Sequence, residues 1–336
     1  MRWLIAGVVL LTGVLGWTAY TSWQTYLTTP IPLESDVHYD VQAGTSLGAV
    51  ALDLHARDWL TRPRWFVWYA RSRGDEARIR AGEYSISAGI TPAGLLALLV
   101  SGEVIQHSFT IIEGFTFADV RDSLKADPLI THTFDDLSNE AVMDELGLSD
   151  EHPEGRFLPE TYYYTRGASD RELLLRAHEL MTQTLTRLWG ERDPDTLLKT
   201  PYEALILASI IEKETALDSE RPEISGVFSR RLKKAMRLQS DPTVIYGIGP
   251  GYDGNIRKHD LTTDTTYNTY TRKGLTPTPI AMPGEASIYA ALHPKPGSAL
   301  YFVATGDPDG SHYFSDTVGE HNKAVQRYLA RLRAKP

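Results

Sequence analysis

Apolar positions recur along this chain in three rhythms, and each predicts a different element. From Trp3 to Tyr20 (WLIAGVVLLTGVLGWTAY) the run is apolar on every side for about 18 residues, near the length that spans a bilayer. After Asp36 the rhythm changes. VHYDVQAGTSLGAVALDLHARDWL begins with period two, as a strand does, and turns at Ala43-Gly44. It then takes helical spacing behind Thr45 or Ser46, either of which suits an N-cap. IRAGEYSISAGITPAGLLALLVSGE repeats that plan, with Thr91 as N-cap and Pro92 at the first helical position. Together they predict a compact α/β module over residues 37–106.

The larger remainder, 107–336, opens with FTIIEGFTFADVRDSLKADP: a strand, a turn at Gly114 and an amphipathic helix. Ser169 and Glu172 form a capping box ahead of RELLLRAHELMTQTLTRLW. Thr200, Pro201 and Glu203 give a second start signal, and the helix they open carries LASIIEKETA (207–216). ALYFVAT and HYFSDT read as a hairpin around GDPDGS, followed by a terminal helix from about Val318.

Composition narrows the function classes. A net charge of −9 lacks the basic face that nucleic-acid binding needs, so no nucleic-acid partner is expected. With no cysteine there is neither a disulfide nor a thiolate site. After Arg2 the next charge is Glu34, so the positive-inside rule leaves residues 1–23 as a short cytoplasmic end plus a transmembrane helix. Residues 24–36, with two prolines and no helical period, then form a linker to an external, periplasmic portion. A cleaved signal peptide is the alternative, but this apolar core exceeds the usual ~7–15 residues.

Generic catalytic signatures are absent. His178-Glu179 opens an HExxH-like string, but position 182 is Thr, and no metal site is expected. GIGPGYDG (247–254) has a nucleotide loop's glycines without strand-loop-helix context, and reads as a plain loop. No GxSxG elbow occurs.

Two glutamates remain. At about 100° per residue, Leu207, Ile210, Ile211, Glu214 and Leu217 share one stripe of the helix, while Ser209, Glu212, Lys213 and Ala216 fall on the other side. Glu214 therefore sits in the apolar arc. A carboxyl group there is desolvated, its pKa rises toward neutrality, and it suits a general acid. A buried Glu paired to an arginine for structure is the competing reading. Around it, EGRFLPETYYY (154–164) offers Glu160 and Tyr162, and RLQSDPTVIYG (237–247) offers Gln239, Asp241, Thr243 and Tyr246. TYNTYTRKGLTPTPIAMPG adds Asn268 and Tyr270. Tyrosine faces stack on pyranose rings, while amides and carboxylates bind hydroxyls, so these types suit a glycan cleft.

LASIIEKET, RLQSDPTVIYG, YNTYTRKGLTPTPIAMPGEASIYAALHP and EGRFLPETY resemble the MltG (YceG-like) membrane-bound endolytic murein transglycosylases over nearly the whole chain. VQAGTSLGAVA resembles the opening of a LysM peptidoglycan-binding module, from which the chain departs by the insertion RDWLTRPRWFVWYARSRGDEARIR. The implied fold is α+β: a transmembrane helix, a small LysM-like α/β module, and a larger mixed α+β catalytic domain. The resemblance implies cleavage between N-acetylmuramic acid and N-acetylglucosamine of nascent strands, with 1,6-anhydro ends and no cofactor. It further implies peptidoglycan synthases as partners, and the second acid of EKET, Glu214, as the catalytic residue. The rival functions are a pyridoxal-phosphate aminodeoxychorismate lyase, a label the family has also carried, and a non-catalytic wall-binding scaffold.

Overall fold

The structure, a computed structural model, describes residues 2–334. The chain divides into two compact units, residues 1–107 with 163–166, and residues 108–162 with 167–336.

In the first unit the elements are α1 (Arg2–Thr28), β1 (Val37–Val41), α2 (Leu47–Ala56), α3 (Pro63–Arg73), β2 (Gly82–Ile86) and α4 (Pro92–Ser101). β1 and β2 pair antiparallel, from Val37 opposite Ile86 to Val41 opposite Gly82. Alternation along β1 turns Tyr39 and Val41 inward, and Leu54, Phe66, Tyr84 and Leu95 close the core. Of the two cap candidates Ser46 acts, accepting from the Ala49 N–H at 3.2 Å; Thr91 does the same for Gly94 at 3.1 Å. The insertion that begins at Arg57 supplies α3.

Among the described residues one helix, Ile5–Thr28, is long and apolar enough to cross a membrane. Its large apolar side chains, such as Leu10 and Trp17, are exposed. The helix does not stop at residue 23 as its sequence suggests, but runs to Thr28. The extension is held by its own contacts: Tyr26 and Leu27 are buried, and Trp23 meets Trp68 edge-on at 4.7 Å. Pro30 and Pro32 follow the end of the helix.

The second unit contains β3 (His107–Thr110) from Ser108 on, α5 (Phe117–Lys125), α6 (Asn139–Leu146), the first two residues of β4 (Thr161–Tyr164), α7 (Asp170–Gly190), α8 (Pro201–Glu214) and α9 (Arg221–Lys233). α10 (Asp241–Ile248), a 3-10 turn at Gly249–Gly251, α11 (Lys258–Thr262), α12 (Glu285–Leu292), β5 (Tyr301–Ala304), β6 (His312–Ser315) and α13 (Val318–Ala334) complete it. β3 pairs with β4, and β5 with β6 as an antiparallel hairpin against which α13 packs.

α8 is the axis of this unit. Every residue from Ala204 to Ile211 is buried, with α12, α9, α7 and α10 packed around it. The proline-rich loop before α12 adds Ile280, whose N–H donates to the buried Ser209 hydroxyl at 3.0 Å. Over these residues the helix has no solvent face, and in its last turn Lys213 is exposed. That corrects the two-sided reading of LASIIEKETA at Ser209 and Glu212, whose side chains are buried, while Lys213 and Ala216 are exposed as that reading expects.

Candidate active site

Glu214 is the last residue of α8, where Thr215 turns the chain into extended backbone. Its side chain opens on a cleft of about 470 Å³ shared with Arg231, Gln239, Asp241, Tyr270, Tyr301 and His321. The Ser240 hydroxyl donates to Glu214 Oε1 at 2.5 Å. Burial raises the Glu214 pKa to about 7; the Ser240 bond pulls it down, the Asp241 charge pushes it up, and Arg231 opposes. The group is thus an acid poised near neutrality.

The stretch RLQSDP, irregular until α10 begins at Asp241, brings the Ser240 hydroxyl to Glu214. Ser240 occupies the N-cap position of α10, yet its side chain makes no cap bond because the hydroxyl is committed to the carboxyl. Gln239 before it has φ of +54°, a left-handed conformation that a non-glycine residue rarely adopts. Backbone and side-chain bonds hold this turn. The Gln239 N–H donates to Thr269 O at 3.2 Å, the Ser240 N–H to the Thr269 hydroxyl at 3.0 Å, and the Thr243 hydroxyl to Ser240 O at 2.7 Å.

Arg231 closes another wall. Its guanidinium donates to Leu300 O and Leu238 O, both at 2.7 Å, and lies 5.1 Å from the centroid of the Tyr301 ring. The Tyr270 hydroxyl donates to Asp241 Oδ1 at 2.5 Å, and burial together with that carboxylate keeps the phenol protonated. His312, also in the wall, contacts the Glu220 carboxylate at 2.7 Å.

The sequence-predicted residues divide into three groups. Gln239, Asp241 and Tyr270 line the cleft beside Glu214. Thr243 and Asn268 stand behind it: Asn268 is buried, donates to three carbonyls between Asp260 and Thr263, and accepts the Tyr270 N–H at 2.8 Å. The remaining three do not line it, which corrects the grouping by residue type. Glu160 is exposed and accepts the Thr161 N–H at 2.8 Å. The Tyr162 hydroxyl is spent in the core on Leu158 O at 2.6 Å. That of Tyr246 donates to the buried Glu154 at 3.0 Å.

Sequence reasoning missed Ser240, Arg231, Tyr301 and His321. Ser-Asp-Pro is a helix-start signal, and it would have placed Ser240 at an N-cap. No local signal marks the other three, which come from α9, β5 and α13.

Glu212 is not a solvated counterpart of Glu214. Its side chain is 5% exposed, accepts from Arg221 at 3.3 Å, and accepts the Gly284 N–H at 2.9 Å. Gly284 has no room for a side chain: a Cβ there would lie 1.9 Å from Glu113 Oε1. No group of three or more candidate metal ligands occurs among the described residues.

The profile of the YceG-like family matches residues 39–327. The chain belongs to that family. Among its YceG-like relatives, the endolytic murein transglycosylase of Bacillus subtilis is 30% identical over 320 residues, 89% of this chain and 88% of that protein. A protein of the same name from Streptococcus pneumoniae is 26% identical, and the alignment takes 90% of this chain but 58% of that protein. A solved yceG-like protein from Listeria monocytogenes matches with a TM-score of 0.54 at 29% identity, over 87% of this chain and 99% of its own. The family resemblance carried by LASIIEKET and its companion motifs is therefore borne out.

Proposed function

We propose that this YceG-like chain is a membrane-anchored endolytic lytic transglycosylase, cleaving peptidoglycan strands between N-acetylmuramic acid and N-acetylglucosamine, with Glu214 as acid and then base. The observation that carries this reading is the carboxyl group of Glu214, raised to about 7 and opening on a tyrosine- and amide-lined cleft, in a relative of proteins named for this activity.

The reaction needs one proton carrier. Protonated Glu214 gives its proton to the glycosidic oxygen as the C1–O bond breaks. The resulting carboxylate takes the proton of the muramoyl 6-hydroxyl as O6 bonds to C1, closing a 1,6-anhydro ring. Glu214 ends protonated, and no water is consumed. The Ser240 bond fixes the carboxyl rotamer throughout, and Asp241 with Tyr270 supplies polar contacts for sugar hydroxyls.

The apolar helix is read as a single-pass anchor in the inner membrane with the rest of the chain periplasmic, and residues 37–106 as a LysM-like module that positions glycan. Peptidoglycan synthases are the partners this placement suits. The pyridoxal-phosphate reading is disfavoured because the residues lining the cleft include no lysine for a Schiff base.

Mass spectrometry of muropeptides released by the purified chain tests the reading. Products ending in 1,6-anhydromuramic acid are expected. Reducing muramic ends would replace the mechanism with hydrolysis, and no release at all would leave the scaffold.

A further inference from the structure

His321, on the first turns of α13, lines the Glu214 cleft but has no part in the proton transfers above. Its ring stacks on Tyr301, with centroids 5.3 Å apart and 26° between the planes. Tyr301 also receives the Arg231 guanidinium, which backbone carbonyls of Leu300 and Leu238 hold in place. The imidazole is thus fixed in orientation by a stack that is itself fixed.

The two ring nitrogens are not equivalent. Nδ1 is buried and has no hydrogen-bond partner among the described residues. A proton on Nδ1 would be sealed away with nothing to accept it, so the neutral ring carries its proton on Nε2. Burial and the neighbouring Arg231 charge hold the His321 pKa below its ordinary value, which keeps the ring neutral. With Nδ1 closed off, the Nε2–H is the donor left for the cleft.

The surroundings specify what it would meet. Val303, Ala304, Val318 and Val325 line the same cleft, which therefore offers apolar surface as well as a neutral donor. A sugar hydroxyl has no use for such a surface, and a carboxylate would favour a cationic ring. An acetamido group, with a carbonyl oxygen and a methyl, matches both halves.

We propose that His321 is a substrate-binding residue whose Nε2–H donates to the carbonyl oxygen of an acetamido group on the glycan strand, the methyl packing against the adjacent valines. This rests on reading the cleft as the glycan site. The inference adds a recognition element that discriminates N-acetylated from de-N-acetylated strands.

The test measures binding, so that chemistry does not intervene, using the full chain in detergent with Glu214→Gln and soluble uncrosslinked strands. Adding His321→Ala is expected to weaken binding by about 5- to 10-fold, the size of one lost neutral hydrogen bond plus some packing. On chemically de-N-acetylated strands the same replacement should change binding less than about twofold. His321→Gln places an amide N–H near the Nε2 position and should recover most of the loss, whereas His321→Asn places its amide near Nδ1 and should not. That Gln and Asn comparison keeps the test decisive if the alanine variant fails to fold. Equal losses on both kinds of strand, no loss on either, or equal recovery by Asn and Gln would each overturn the proposal. Retained cleavage by Glu214→Gln alone would instead remove the reading on which it rests.

Discussion

The Ser240 hydroxyl stands 2.5 Å from Glu214 Oε1 and caps nothing, although Ser240 occupies the N-cap position of α10. Ordinarily a serine there contributes about 1 kcal/mol through its bond to the helix N-terminus. Here that bond is given up for one to an acid in a cleft. A local stability device has become part of the site, and the left-handed Gln239 before it shows the backbone bent to the same end.

Ser240→Ala therefore separates activity from stability. No cap bond is lost, and the lost bond to Glu214 is worth about 1 kcal/mol, so the melting temperature should fall by no more than about 3 °C. Turnover should fall on the order of 10-fold as the carboxyl loses its fixed rotamer. The Ser240 bond favours the ionised carboxylate, so its removal should raise the Glu214 pKa further and move the alkaline limb of the pH–rate profile upward. A profile that does not move would detach Ser240 from the acid.

Glu214→Gln keeps the shape and can still accept from Ser240, but it has no proton to transfer. Strand cleavage should drop by at least ~10²-fold with unchanged circular dichroism. In the parent, activity should decline as pH rises through about 7, because the reaction starts from the protonated form. A flat profile from pH 6 to 9 would contradict a Glu214 general acid.

Glu214 was selectable from sequence because helical spacing put it in line with Leu207, Ile210 and Ile211, and those positions are indeed core. Glu212 was misread for a physical reason. Helical periodicity distinguishes faces only where one of them meets water; α8 is enclosed from Ala204 to Ile211 by α12, α9, α7, α10 and the proline-rich loop, and beyond that stretch Arg221 and the Gly284 N–H hold Glu212. Gln239, Asp241 and Tyr270 are suggested by the residue types that glycan clefts use, and they line the Glu214 cleft. The same reasoning brought in Tyr162 and Tyr246, since a tyrosine's type does not tell whether its hydroxyl is already spent in the core. Capping signals read well because they are local. The Arg231–Tyr301–His321 wall joins three distant segments, and pairings of that range leave no mark in a single sequence.

Glu212→Gln should act on stability. It weakens a buried contact to Arg221 while leaving the amide oxygen free to accept from Gly284. Removing the charge beside a cation that is itself only 6% exposed should lower stability by about 1–3 kcal/mol, read by urea unfolding. The pH dependence of turnover should be unchanged. If this variant instead loses its alkaline limb while Glu214→Gln keeps it, the two glutamates have been assigned the wrong way round.

Glu154 gives the last prediction, because it is a second carboxyl raised to about 7 and lies outside the cleft. It is 4% exposed, accepts the Phe117 N–H and the Tyr246 hydroxyl at 3.0 Å each, and owes its shift chiefly to burial. Its folded pKa exceeds the unfolded one, so the folded chain binds the extra proton. That contribution is fully present below about pH 4.5, fades as pH rises, and is gone above about 7, a loss of roughly 3 kcal/mol. Glu154→Gln stays neutral at every pH, and the amide can serve the Phe117 N–H while offering its own N–H to the Tyr246 oxygen. Thermal unfolding should therefore find the variant close to the parent at pH 5 and more stable by several degrees at pH 8. Cleavage at pH 6 should change less than about threefold, since the residue does not line the Glu214 cleft. An equal fall in melting temperature from pH 5 to pH 8 in parent and variant would show that Glu154 is not the group releasing the proton.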